Sequence, residues 1–349
     1  MPCVGFRNMG FLRRLHNLAG HLPVAASRTA AASLLTDVES PAAPVEDIVV
    51  TRAHPAADAS VEEKLDFFRE SGYVRVEDAL TGEALRQTQA EFTEGQELMR
   101  PSWEAAKAGE ELRVDGHLME NVPTEWFDIP RYAELGSASL DLMSNEKNLE
   151  ILTELVGPDL ALSQIQARTL PPQAEEFTST QGGYAGWHRD QPMPFYEQPS
   201  RSLRVKCFVY LFDTPEDCGC TSVVPGSHRW NFAAGDPLYD GKYNGVQMMT
   251  MPGHVKAAVK AGTSMIFDLR TWHCAMPNTS DVERRCLILS YTPFWHKPFG
   301  QVITNGERLM AAGKLTTPLQ RQLFHVEPEG GGYGNTPEEA AAHPRMDHV

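Results

Sequence analysis

The chain has 349 residues, of which 42% are hydrophobic and 9% aromatic, the balance of an ordinary soluble protein long enough to bury a sizeable core. No run of 18 apolar residues occurs, so the sequence contains no membrane-spanning helix. A net charge of -15 argues against a broad nucleic-acid surface, because phosphate backbones reward the opposite sign, but it leaves room for a local basic pocket.

Residues 1–35 differ from the rest. They hold Arg7, Arg13, Arg14 and Arg28, no Asp or Glu, and many Ala and Ser, with Phe11, Leu15 and Leu18 on one helical face. That pattern reads either as a mitochondrial or plastid transit peptide or as a disordered N-terminus, with a cytoplasmic protein as the alternative location. An Ala- and Pro-rich linker follows over 36–60, before a domain predicted over 61–325. Within that domain the pattern predicts a short amphipathic helix over 61–71 and a strand over 73–77. A helix from Thr81, its candidate N-cap, runs to about 99. The stretch 100–135, with Pro101, Pro123 and Pro130, reads as irregular, and a helix over about 136–155 ends at Gly157-Pro158. From 159 to 169 residues alternate, so that Gln164, Gln166 and Arg168 share one face. Short strands between Gly/Pro turns then run to 295, followed by a helix near 306–324 and a flexible tail over 326–349. No internal repeat is visible. The order of elements predicts a mainly β protein with flanking helices packed outside a jelly-roll core at about 159–295.

The chemistry is concentrated in His188-Arg189-Asp190 and the remote His273. In a strand, His188 and Asp190 point to the same face. With His273 they supply two imidazoles and one carboxylate, the ligand set of the facial triad that holds non-haem Fe(II) with positions left open. His228 is a candidate fourth ligand, which the Pro225-Gly226 turn is expected to keep at the barrel rim instead. Of the six cysteines, Cys3, Cys207, Cys218, Cys220, Cys274 and Cys286, none is in CxxC spacing, and buried reduced thiols are the preferred reading.

Trp187-His188-Arg189-Asp190, Val224-Pro225-Gly226-Ser227-His228, His273, Asn278 and Arg284 follow one another in an order and at intervals that resemble the phytanoyl-CoA dioxygenase family. Phe67-Phe68-Arg69-Glu70-Ser71-Gly72 and the residues up to Leu80 resemble the opening of the same family, so the resemblance covers about 60–325. It implies a double-stranded β-helix (cupin-like jelly roll) and Fe(II), 2-oxoglutarate and O2 as cofactor and cosubstrates. It further implies that Arg284, eleven residues beyond His273, receives the distal carboxylate of 2-oxoglutarate, with Arg285 as the fallback on the opposite face. Gln166 and Phe208 fall at family positions near the cosubstrate. Ala275 stands where several relatives carry a small hydroxyl residue, and Ser290 or Thr263 are the candidate replacements. Arg168 is the candidate grip for an anionic substrate, or else a structural ion pair.

The activity so implied is oxidation of an unactivated C–H bond of a small molecule, coupled to conversion of 2-oxoglutarate to succinate and CO2. Hydroxylation is favoured by Asp190, since halogenating relatives replace that carboxylate. Desaturation or cyclisation, a non-redox cupin-like metal protein and a silent scaffold are the alternatives. Loops carrying Trp103, Trp126, Phe127, Phe177, Tyr184, Phe195 and Tyr196 suit a medium-sized, partly apolar substrate, or a loop folded on itself.

Overall fold

The computed structural model describes residues 52–114, 117–119, 122–123, 125–173, 187–190, 203–230, 251 and 253–326. Phe177, Tyr184, Phe195, Tyr196, the N-terminal 35 residues and the Gly-rich tail lie outside them.

The first helix, α1 (Val61–Ser71), starts at a capping box in which the Ser60 hydroxyl accepts from the Glu63 amide and the Glu63 carboxylate accepts from the Ser60 amide. It ends at Gly72, whose φ of 79° needs no Cβ. A side chain there would also strike the His228 ring and the Thr271 hydroxyl, so α1 docks directly on the turn that precedes His273. The chain then enters β1 (Tyr73–Val76) at the edge of the main sheet.

Helix α2 (Gly82–Lys107) runs through Pro101 and eight residues beyond the predicted end. Pro101 is exposed and forfeits one intrahelical bond, whereas Trp103 two residues on is buried. Trp103 donates Nε1–H to the Pro123 carbonyl at 2.7 Å and packs on Phe127 with ring centroids 4.7 Å apart, which holds the last turns helical. Trp103 and Phe127 are thus packed on one another. After the two-residue strands β2 (Arg113–Val114), β3 (His117–Leu118) and β4 (Phe127–Asp128), the single helix predicted over 136–155 is two, α3 (Ser137–Leu142) and α4 (Glu146–Val156). Asn145 makes the break: its side chain accepts from the Asn148 amide as an N-cap and donates to the Ala79 carbonyl. The predicted C-terminal helix is likewise divided, into α5 (Gly300–Ala311) and α6 (Pro318–Leu323), because Gly313 adopts φ 67° and Thr317-Pro318 opens a new capping box with Gln320.

Between these helices lie β5 (Leu160–Leu170), β6 (Val205–Tyr210), β7 (Thr221–Val223), β8 (Val255–Ala257), β9 (Thr263–Asp268), β10 (His273–Ala275) and β11 (Arg284–Pro293). The large sheet has the antiparallel order β1-β9-β6-β11-β5-β4, and the small sheet the order β10-β7-β8, extended by His188 bridging to His273. Side chains from both sheets line one cavity, the interior of the double-stranded β-helix. Register sets what faces it. Ile288 of β11 lies opposite Gln166 of β5 on one side and Phe208 of β6 on the other, so the alternate residues of three strands look inward together. The outward face, including Leu287, Leu289 and Tyr291, is buried beneath helices, with Tyr291 donating its hydroxyl proton to the Met143 carbonyl. No helix among the described residues is long and apolar enough to cross a membrane.

Candidate active site

His188 and Asp190 are fixed by backbone pairing rather than by their own strand. The His188 amide donates to the His273 carbonyl and the His273 amide to the His188 carbonyl, both at 3.0 Å, and the Asp190 amide donates to the Leu269 carbonyl at 3.1 Å. The alternation of an extended segment sends His188 and Asp190 inward and Arg189 outward, where its guanidinium lies 5.4 Å from the Trp272 ring. The entry to His273 is locked in turn: the Ser227 hydroxyl donates to the Val224 carbonyl and accepts the Trp272 amide at 2.8 Å. Asn278, fully buried, donates its side-chain amide to the Leu170 and Val282 carbonyls and so shapes the turn that leads to β11.

One ligating atom from each of His188, Asp190 and His273 falls within 4.8 Å of the others. His188 Nε2 is 3.7 Å from Asp190 Oδ1, and His273 Nε2 is 3.3 Å from Asp190 Oδ2. His273 Nδ1 is 2.9 Å from the Thr271 carbonyl, which can only accept, so Nδ1 carries the proton and Nε2 presents a lone pair to the cluster. Two imidazoles and a carboxylate converging on one point, with a backbone carbonyl fixing a tautomer, fit a divalent metal of the imidazole- and carboxylate-binding kind. Burial pushes the Asp190 carboxyl up, but Lys206, His273 and His188 outweigh it and hold it well below the usual carboxylate range. Among the described residues His228 is not part of this cluster; it packs against Gly72 and shares a hydrogen bond with the Arg69 carbonyl.

The cavity of about 260 Å³ around the triad places the other expected residues as follows. Arg284 is 1% exposed and lines it, with Nη1 donating to the Gly219 carbonyl at 2.9 Å. The Cys218-Gly219-Cys220 stretch therefore acts as a turn, with Gly219 at φ 64°, that offers a carbonyl to the guanidinium. Arg285 points the other way and lies over the Phe212 ring at 3.4 Å. Gln166 and Phe208 both line the cavity. Arg168 lines it as well, but its guanidinium is held by both oxygens of Asp128 at 2.8 Å and stacked 3.5 Å from the Trp126 ring, while Gln166 donates to the same Asp128. The free thiols nearby are buried, and burial pushes those of Cys207 and Cys274 up to about 12, which keeps them protonated and unreactive.

Thr221 and Lys206 are among the lining residues that the sequence reading does not single out. Thr221 is the direct cross-strand partner of Ala275 and accepts the Tyr210 hydroxyl proton, so its own proton is free to point into the cavity. It lies opposite Ala275 and lines the cavity, whereas Ser290 and Thr263 are not among the described lining residues. Period-two alternation would have found Thr221 only with the β7–β10 pairing in hand. Lys206, 7% exposed, lies two residues before Phe208 on the inward face and makes an ion pair with Asp190. Its place on the face was readable from the position of Phe208, but its partner was not.

The family model for phytanoyl-CoA dioxygenase (PhyH) matches residues 68–286, well over half of the chain. Among curated proteins, Dioxygenase cdmA of Talaromyces verruculosus is 29% identical over 96 residues, and the match spans 28% of this chain and 29% of that protein. Solved structures with a similar fold include the epimerase SnoN in complex with Fe3+, alpha ketoglutarate and nogalamycin RO, at 20% identity and a TM-score of 0.46 over 69% of this chain and 87% of that one. HygX from Streptomyces hygroscopicus with nickel and 2-oxoglutarate is 14% identical, at a TM-score of 0.49 over 68% and 89%.

Proposed function

Because this chain belongs to the phytanoyl-CoA dioxygenase family, we propose that it is an Fe(II)- and 2-oxoglutarate-dependent oxygenase that hydroxylates an unactivated C–H bond of a small molecule. The observation that carries the reading is the convergence of His188, Asp190 and His273 within 4.8 Å, with the His273 tautomer fixed by the Thr271 carbonyl. These three residues would hold the metal. When bound there, iron would supply the redox chemistry by which O2 acts as oxidant, one oxygen atom going to the substrate and the other to succinate as 2-oxoglutarate loses CO2.

The chain's own part is binding, orientation and exclusion of water. Arg284, buried and fixed against the Gly219 carbonyl, would meet the distal carboxylate of 2-oxoglutarate, since a guanidinium matches a carboxylate bidentately and stays charged when desolvated. Thr221, with its acceptor side occupied by Tyr210, would donate to the same carboxylate. Asp190 keeps the carboxylate that halogenating relatives replace, which supports hydroxylation over halogenation. Ile288 and Phe208 give the cavity part of its apolar wall, and excluding water from it would keep each charge interaction inside strong.

The test is anaerobic titration of metal-free protein with Fe(II) and then 2-oxoglutarate, following the visible charge-transfer band of the chelate. A band that needs both additions and disappears in His188→Ala supports the proposal. Iron-loaded, folded protein without a band overturns it.

A further inference from the structure

The described residues lining the cavity carry four cations, Arg168, Arg204, Lys206 and Arg284, and one carboxylate, Asp190. Three of the cations are engaged away from the metal cluster. Arg168 has Asp128 as an internal counter-ion, Arg204 donates to the Ser163 hydroxyl and lies 5.3 Å from the Phe299 ring, and Arg284 donates to the Gly219 carbonyl. Lys206 differs from them. Its side chain is 9% exposed, and the anion it meets is Asp190, a member of the triad itself.

A buried ammonium is tolerated only beside a compensating negative charge. A dication held by the triad draws on the same Asp190 carboxylate. Charge balance then runs on single charges: the dication is matched by Asp190 together with the chelating carboxylate of 2-oxoglutarate, and Arg284 is matched by the distal carboxylate. Lys206 remains as one buried positive charge in a narrow cavity, where such a charge is strongly felt. A monoanionic ligand restores the balance. The cavity also has an apolar wall: Lys206 Nζ lies 5.7 Å from the Phe208 ring, and Ile288 and the half-exposed Phe299 line the same space.

Resting on the oxygenase reading above, we propose that Lys206 is the anion-recognition group for the substrate, and that the substrate is an apolar-bodied molecule bearing one carboxylate or comparable oxyanion. Neutral and cationic molecules of the same shape are discriminated against, because each leaves the Lys206 charge uncompensated.

The experiment uses the full-length protein loaded anaerobically with Fe(II) and 2-oxoglutarate, with octanoate, octanamide and octylamine as probes. Each is titrated while the charge-transfer band is followed. Octanoate is expected to shift the band saturably without bleaching it, octanamide to require at least about tenfold higher concentration, and octylamine to do nothing. Lys206→Met should keep the band and lose the preference, and Lys206→Arg should keep both. Equal effects of octanoate and octanamide on the unmodified protein overturn the proposal, whatever the variants do. Loss of the 2-oxoglutarate band in folded Lys206→Met also overturns it, because Lys206 would then serve the chelating carboxylate of the cosubstrate. Absence of the band in unmodified protein, seen before any probe is added, is a failure of the oxygenase reading itself.

Discussion

The backbones of His188 and His273 exchange two hydrogen bonds, amide to carbonyl at 3.0 Å in each direction, although 84 residues separate them in the sequence. This reciprocal pairing is what brings their rings to a centroid distance of 4.3 Å. Asp190, two residues from His188 on the same face, completes the cluster and binds the buried Lys206. Removing its charge while keeping its shape, in Asp190→Asn, leaves that ammonium without compensation. The metal-free variant should lose about 3 kcal/mol at pH 7, and Lys206→Met combined with it should recover part of the loss. Urea denaturation of the four proteins measures the coupling, and strict additivity would refute the pair. The pH dependence has a definite sign. Asp190 is depressed in the folded protein, so its contribution is complete above the unfolded carboxyl value of about 3.9 and lost as the pH falls further through the folded value. The gap between the natural protein and Asp190→Asn should therefore narrow only below about pH 4.

Arg284 and Arg285 are neighbours on β11 with opposite fates, one against the cavity and one over the Phe212 ring. On the proposed function, Arg284→Ala weakens 2-oxoglutarate binding at least about thirtyfold, the worth of a charge-assisted bidentate contact, and leaves Fe(II) binding intact. Arg285→Ala stays within about threefold, because it faces away. Titration of the iron-loaded variants reads both numbers. A larger loss in Arg285→Ala would reverse the assignment.

The inward face of β5, with Gln164, Gln166 and Arg168, was legible because alternation is a local property. So was the start of α1, where Ser60 and Glu63 form a box within four residues. What the sequence withheld depends on contacts made at long range. Trp103 carries α2 through Pro101 by docking on Pro123 and Phe127, and Asn145 divides the following helix by reaching the Ala79 carbonyl. In the site, Arg168 is a natural candidate for a ligand until Asp128, forty residues upstream, is seen to hold it. The pairings of Lys206 and Thr221 are hidden for the same reason, since their partners Asp190 and Tyr210 sit on other strands or segments.

His228 supplies a second pH signature. Burial, helped by Arg270 and opposed by Asp268, pushes its imidazole down to about 4, below the unfolded value of about 6.5. A histidine with a depressed folded value is bound by more protons in the unfolded state between the two, so stability is full above about pH 6.5 and falls as the pH drops toward 4. The loss amounts to about 3 kcal/mol at most. His228→Gln, which keeps a donor for the Arg69 carbonyl, should flatten thermal stability between pH 6.5 and 4 relative to the natural protein. An unchanged slope would mean that another group titrates there.

Ser227 connects the fold to the site through a single hydroxyl. It accepts the amide of Trp272, the residue immediately before His273, while donating to the Val224 carbonyl. All three participants are buried, so Ser227→Ala leaves an amide and a carbonyl without that partner in a place water does not reach. The cost should be about 1–3 kcal/mol of stability. The larger consequence falls on the metal. The segment Trp272-His273 loses its anchor one residue from a proposed ligand, and small losses of orientation around metal ligands typically reduce affinity ten- to a hundredfold. Calorimetric titration of metal-free Ser227→Ala with Co(II) should accordingly show weakened binding in a protein that still unfolds cooperatively. Ser227→Thr, which keeps the hydroxyl, should bind Co(II) more tightly than Ser227→Ala. Full metal affinity in Ser227→Ala would show that the reciprocal pairing with His188 holds His273 without help from the turn.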